Sequence, residues 1–135
     1  MIGESEASSK LTSYGILPTL QRLQIARVIL GKNQHLSADQ VLAMVSDSGV
    51  RVSKATIYNT LGLFARKGVV GEVTVDPARV YYDTNSEPHH HFYNEDSGEL
   101  FDIKHDAIDI DRLPNAPKGT TTENYEVIIR VRNKR

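Results

Sequence analysis

The sequence predicts an α+β protein, in which an N-terminal winged helix-turn-helix precedes a small α/β domain. Three observations predict it. Cap residues and helical periodicity run from Thr19 to Gly68, the pattern switches to period two after Gly68, and β-prone runs return from His89 onward.

The elements follow in chain order. Residues 1–9 are polar, lack a sustained apolar pattern and read as a disordered tail. Thr19, after Pro18, is suited to cap a helix whose apolar stripe takes in Leu20, Leu23, Ala26 and Leu30. Ser37-Ala38-Asp39-Gln40 has capping-box spacing, and Val41, Leu42 and Val45 continue that helix until Gly49 breaks it. Ser53 caps a third helix with Ile57, Leu61 and Phe64 on one face, and Gly68 ends it. Two helices joined by a short glycine-containing turn make a helix-turn-helix. Val69–Val75 and Arg79–Thr84 then read as a hairpin turning at Asp76-Pro77-Ala78, which would be the wing.

Asn85-Ser86-Glu87-Pro88 has linker composition and divides the chain into expected domains 1–84 and 89–135. In the second domain, strands are expected at His89–Tyr93, Glu99–Ile103 and Tyr125–Arg132, with a short helix over Asp106–Leu113. So short a domain buries too little surface to be stable easily alone, and a second copy would supply the rest.

Composition excludes several classes. There are no cysteines, so disulfides, thiolate metal sites and thiol catalysis are excluded. No apolar run reaches membrane-spanning length, and MIGESEASSK lacks the apolar core of a signal peptide, which points to the cytoplasm and away from membranes. The net charge of −1 is uninformative, but its distribution is not. Between Ser48 and Gly71 stand Arg51, Lys54, Arg66 and Lys67 with no acid at all, the local basic patch that phosphate contact requires. A solvated helix face would show the same charges. The second helix of the pair would enter the major groove of double-stranded DNA. Lys54, Thr56, Tyr58 and Asn59 would stand near the bases, and Arg22, Arg51 and Arg66 near phosphates.

The histidines carry the other chemistry. In the run His89-His90-His91, a strand would project His89 and His91 to one side and His90 to the other. Two imidazoles at i and i+2 suit a divalent transition metal, and neutral nitrogen ligands suit iron, zinc, nickel or manganese. Together with His35, and with Asp83 and Asp102 as carboxylates, they would form a nitrogen/oxygen shell hard enough for Fe(II) or Mn(II). A functionless surface run of histidines is the bland alternative, and His105 reads as an exposed loop residue. Two His and one Asp would also serve a mononuclear iron oxygenase, but that leaves the helix-turn-helix unexplained. A nucleophilic enzyme is disfavoured: there is no cysteine and no G-x-S-x-G turn.

Several motifs stand in one order and spacing: Pro18-Thr19-Leu20-Gln21-Arg22, His35-Leu36-Ser37-Ala38-Asp39-Gln40, the stretch from Ser53 to Leu61, His89-His90-His91-Phe92, and Gly98-Glu99-Leu100-Phe101-Asp102-Ile103. On these the chain resembles the ferric uptake regulator superfamily from about Leu11 to Arg132. Tyr58-Asn59, where iron-uptake regulators usually have Tyr-Arg, looks like the peroxide-responsive and iron-response branches. The histidine run and the ending VIIRVRNKR look most like the iron-response branch.

The resemblance implies a homodimeric, operator-binding transcription regulator. Its regulatory metal site would map onto His35, Asp83, His89, His91 and Asp102, and Asp102, as aspartate, goes with metal-catalysed histidine oxidation and peroxide sensing. A response to iron, or to haem through His90 or His89, is the competing implication. The family's second metal site would map onto His90, Asp109 and Glu126, but Pro88 stands where many relatives have histidine. Asn94 and Ser97 replace the paired cysteines that hold structural zinc in many relatives, which excludes zinc of that type. Leu17 replaces a residue that is often Lys or Arg, which puts a minor-groove contact in doubt.

Overall fold

The computed structural model describes residues 1–135, which divide into two compact units, Met1–Ser86 and Glu87–Arg135. No helix is long and apolar enough to cross a membrane.

The first unit contains α1 (Glu4–Ser13), α2 (Leu20–Ile29), β1 (His35–Leu36), α3 (Ala38–Asp47), α4 (Lys54–Lys67), β2 (Gly71–Asp76) and β3 (Arg79–Asp83). Local chemistry sets the helix ends. The Thr19 hydroxyl accepts from the Arg22 N–H and begins α2. Ser37 and Gln40 form a reciprocal capping box at α3. Ser53 caps α4, and Gly68 closes it in the left-handed conformation (φ 86°), which a side chain at that position would strain. Gly49 (φ 87°) makes the turn between α3 and α4. The core gathers Leu11, Ile25, Ile29, Val41, Val45, Ile57, Leu61 and Phe64, all essentially sealed from solvent. The wing is the antiparallel β2–β3 pair, and β1 adds to the far side of β3 to give the order β1-β3-β2.

Two expectations are corrected here. Residues 4–9 of the expected disordered tail belong to α1, which buries Ala7 and Leu11 one turn apart. Acidic Glu4 and Glu6 in its first turn and Lys10 in its last complement the helix dipole. The chain before α1 is pinned to α2, because Ile2 N–H donates to Arg27 O (3.0 Å) and Arg27 Nε donates to Ile2 O (3.1 Å). In α2, Ala26 of the expected stripe is buried and Leu23 and Leu30 pack against the core, but Leu20 in the first turn is largely exposed and Ile25 and Ile29 complete the buried face.

The second unit contains β4 (His89–Asn94), β5 (Leu100–Lys104), a 3₁₀ turn (His105–Ala107) and β6 (Ile128–Val131). The sheet order is β5-β4-β6, with β4 antiparallel to β5 and parallel to β6. Tyr93, His90 and Ile103 are buried along it. Phe92, which leaves the same face as His90, pairs in register with Phe101 on one side and Ile129 on the other, and all three are exposed. The helix expected over Asp106–Leu113 is absent beyond the 3₁₀ turn, since one short amphipathic stretch without a packed face does not repay helix nucleation.

Candidate metal centre

Each unit carries its own set of metal-type donors. In the first, antiparallel pairing puts His35 directly opposite Asp83, so both side chains leave the same face. His35 Nε2 lies 3.2 Å from Asp83 Oδ2. The Asp83 carboxylate is buried, which is costly without compensation. Part of it comes from the Asn85 N–H, which donates to Oδ1 at 2.9 Å. The short β1 is held to the end of β3 by Thr84, whose hydroxyl accepts from Gln34 N–H (2.9 Å) and donates to Lys32 O (2.7 Å).

In the second unit, β4 directs His89 and His91 to one face. Asp102 stands opposite His91 on β5, and its Oδ1 lies 3.5 Å from Nε2 of both imidazoles. The two rings meet edge to face, with centroids 4.6 Å apart. Their other nitrogens are engaged as well. His89 Nδ1 bonds the Glu87 carbonyl, and His91 Nδ1 bonds Glu126 Oε1 at 3.1 Å. A carbonyl and a carboxylate only accept, so each Nδ1 carries a hydrogen. In the neutral rings both Nε2 lone pairs therefore face the Asp102 carboxylate. Electron-rich atoms aimed at one another call for a cation or a proton between them, and the nitrogen/oxygen set fits Fe(II) or Mn(II).

His90 leaves the opposite face. It is fully buried, its Nδ1 accepts from the Val127 N–H at 3.0 Å, and its Nε2 has no hydrogen-bond partner. The ring stacks on His105 (centroids 4.9 Å) and on Tyr125 (5.4 Å). Burial, and then the neighbouring His105, push its pKa below the ordinary histidine value, so the neutral form is favoured.

This geometry corrects the second-site expectation. His90, Asp109 and Glu126 do not form a donor cluster: Glu126 bonds His91, and Asp109 is exposed in the irregular chain after the 3₁₀ turn. Nor is His90 open to haem, because its Nδ1 lone pair is taken by the Val127 N–H and its Nε2 is buried, so neither ring nitrogen is presented to an iron. His105 is exposed, as expected of a loop residue, yet it stacks on His90, a contact no local pattern signalled.

The candidate DNA-contacting residues all lie in the first unit. Tyr58 and Asn59 are exposed on α4, and Lys54 sits over the Tyr58 ring (5.8 Å) while pairing with Asp39 (3.4 Å). Thr56 is half-buried and bonded to the Ser53 cap, which leaves it the least available of the set. Arg51 is exposed before α4, and Arg22, Asn59 and Arg66 line one shallow pocket. Arg22 also donates to Leu17 O at 3.0 Å, bracing the entry to α2.

Fold and donors together define a winged-helix protein with a small sheet domain rich in metal-ligating side chains. The profile of the ferric uptake regulator family matches residues 13–130. The chain belongs to that family. It is 32% identical over 109 residues to a protein named peroxide-responsive repressor PerR from Staphylococcus aureus, covering 80% of this chain and 74% of the relative. In fold it matches the ferric uptake regulator of Pseudomonas aeruginosa with manganese (TM-score 0.72, 22% identity, 96% of this chain and 98% of the other). It also matches the peroxide stress regulator of Campylobacter jejuni (TM-score 0.62, 19% identity, 100% and 98%). The two units thus share the fold of ferric uptake regulator structures, a helical unit with a wing followed by a small sheet unit.

Proposed function

We propose that this chain is a homodimeric, operator-binding repressor whose DNA affinity is set by Fe(II) or Mn(II), and that its Fe(II) form senses peroxide. Residues 1–84 are the DNA-binding part, 85–88 the linker, and 89–135 the dimerising and sensing part. His35 and Asp83 from the first part and His89, His91 and Asp102 from the second hold one ion. Holding it ties the orientation of one part to the other, so that metal and DNA bias the same two-state element.

The observation that carries this reading is the convergence of His89 Nε2 and His91 Nε2 on Asp102, with both Nδ1 atoms already committed. The peroxide assignment is supported by the similarity to proteins named peroxide-responsive repressors and by aspartate at position 102. When bound, Fe(II) supplies electrons for peroxide reduction. The imidazoles of His35, His89 and His91 are the groups of this chain placed to take up oxygen. Dimerisation is supported by the exposed Phe101–Phe92–Ile129 row, which a second copy would cover.

The test loads the anaerobically purified protein with Fe(II), applies a peroxide pulse, and follows operator binding alongside mass spectrometry of the histidine peptides. Loss of operator binding, with the mass of one oxygen added to a peptide carrying His35 or His89–His91, is expected. Operator binding that survives the pulse on unmodified protein would overturn the peroxide assignment.

A further inference from the structure

Glu126, expected at a second metal site, instead faces the His91 ring. Its neighbour Val127 is clamped to β4 from both sides: the Val127 N–H donates to His90 Nδ1 (3.0 Å), and the Val127 carbonyl accepts from the His91 N–H (3.1 Å). That double clamp stands one residue before β6 and seats the Glu126 carboxylate against the His91 ring, with Oε1 at 3.1 Å from Nδ1. The His91 side chain is almost wholly buried, whereas Glu126 reaches solvent.

We infer that Glu126 is a positioning residue for metal capture: through His91 Nδ1–H it fixes the tautomer and the ring orientation that aim Nε2 at Asp102. The inference rests on the metal site proposed above. A neutral imidazole has two tautomers, and only the one with hydrogen on Nδ1 offers an Nε2 lone pair. A carboxylate at Nδ1 selects that tautomer and raises the electron density at Nε2, so the ring binds a divalent cation more strongly. The Glu87 carbonyl does the same for His89 with a neutral, weaker acceptor. The two ligand histidines therefore differ: His91 is backed by a charge and His89 by a dipole. His90, whose own Nδ1 accepts from the backbone, acts in this arrangement as the anchor that brings Glu126 into place.

The experiment uses the full chain with Glu126→Ala, Glu126→Gln and Asp109→Ala. Mn(II) affinity is measured by competition with a chelating dye, and the His91 tautomer is read in chelator-treated protein from imidazole nitrogen shifts at a pH where the rings are neutral. Glu126→Ala should weaken Mn(II) binding by about ten- to a hundred-fold and release His91 into a mixture of tautomers. Glu126→Gln, whose amide oxygen still accepts from Nδ1, should keep the tautomer and recover part of the affinity. Asp109→Ala should bind Mn(II) like wild type. If Glu126→Ala binds Mn(II) normally with the His91 tautomer unchanged, the positioning role is wrong. Equal losses in Glu126→Ala and Glu126→Gln with an unchanged tautomer would make Glu126 a direct ligand and overturn it as well. A wild type whose Mn(II) binding ignores His91→Ala would instead overturn the metal site itself.

Discussion

His91 and Asp102 stand directly opposite each other across the β4–β5 pair, with Nε2 of one 3.5 Å from Oδ1 of the other. His89, two residues earlier on β4, reaches the same oxygen at the same distance. His90, between them, leaves the opposite face and is buried under His105 and Tyr125. The division of labour in the triple histidine is thus a consequence of strand alternation.

From it follows the first prediction. His89→Ala and His91→Ala should each lower Mn(II) affinity sharply without abolishing it, since other donors remain. His90→Ala should cost less affinity than either and should instead lower thermal stability, because it leaves the Val127 N–H without its acceptor. Metal titration and thermal melts of the three variants check this. Equal affinity losses for all three would contradict the assignment.

The second prediction concerns assembly. With no cysteine, the chain has no thiolate to hold a structural ion, so the dimer should persist in strong chelator. Phe101→Glu, which puts a charge in the exposed Phe101–Phe92–Ile129 row, should give a monomer with unchanged far-ultraviolet circular dichroism. Analytical ultracentrifugation decides both points. Dissociation on chelation alone would mean that metal, not the apolar row, holds the copies together.

The third prediction addresses the first unit's core. Phe64 on α4 is fully buried in the first unit's hydrophobic core, and Phe64→Ala should cost about 3–5 kcal/mol of folding stability. Ser37→Ala, which removes one half of the capping box, should cost about 1 kcal/mol. Urea denaturation measures both, and similar losses for the two would show that Phe64 is less tightly packed than its burial implies.

Which features were legible in the sequence follows from whether their causes are local. The Ser37–Gln40 box, the Ser53 cap and the Gly68 stop depend on neighbours within a turn, and all three stand where their residues predicted. The wing was readable because Asp76-Pro77-Ala78 interrupts two alternating runs. By contrast, α1 has only Ala7 and Leu11 as an apolar stripe, and its anchor is the distant pairing of Ile2 with Arg27. The α2 stripe was legible in part: Ala26 is buried and Leu23 and Leu30 pack against the core, but Leu20 faces solvent, and only tertiary packing brought in Ile25 and Ile29. For the site, the shared face of His89 and His91 was legible as a period of two. The bond from His91 to Glu126 was not, because it depends on the parallel register of β6 against β4, which no local pattern encodes.

The last prediction separates sequence reading from electrostatic attachment on the first unit. Asn59 and Tyr58 are exposed on α4, while Arg22 and Arg66 share a shallow pocket with Asn59. An amide side chain in the major groove distinguishes bases by hydrogen bonding, whereas a guanidinium on a phosphate adds affinity to any sequence. Asn59→Ala should therefore lower operator affinity by about 1–3 kcal/mol while leaving binding to random DNA nearly unchanged. Arg66→Ala should weaken operator and random DNA alike and reduce the slope of log affinity against log salt by about one. Arg22→Ala should do the same and also loosen the entry to α2, because its guanidinium donates to Leu17 O. Titrations of metal-loaded protein on operator and scrambled duplexes at several salt concentrations provide the comparison. If Asn59→Ala weakens both duplexes equally, Asn59 is a backbone contact, and sequence reading belongs to other residues of α4.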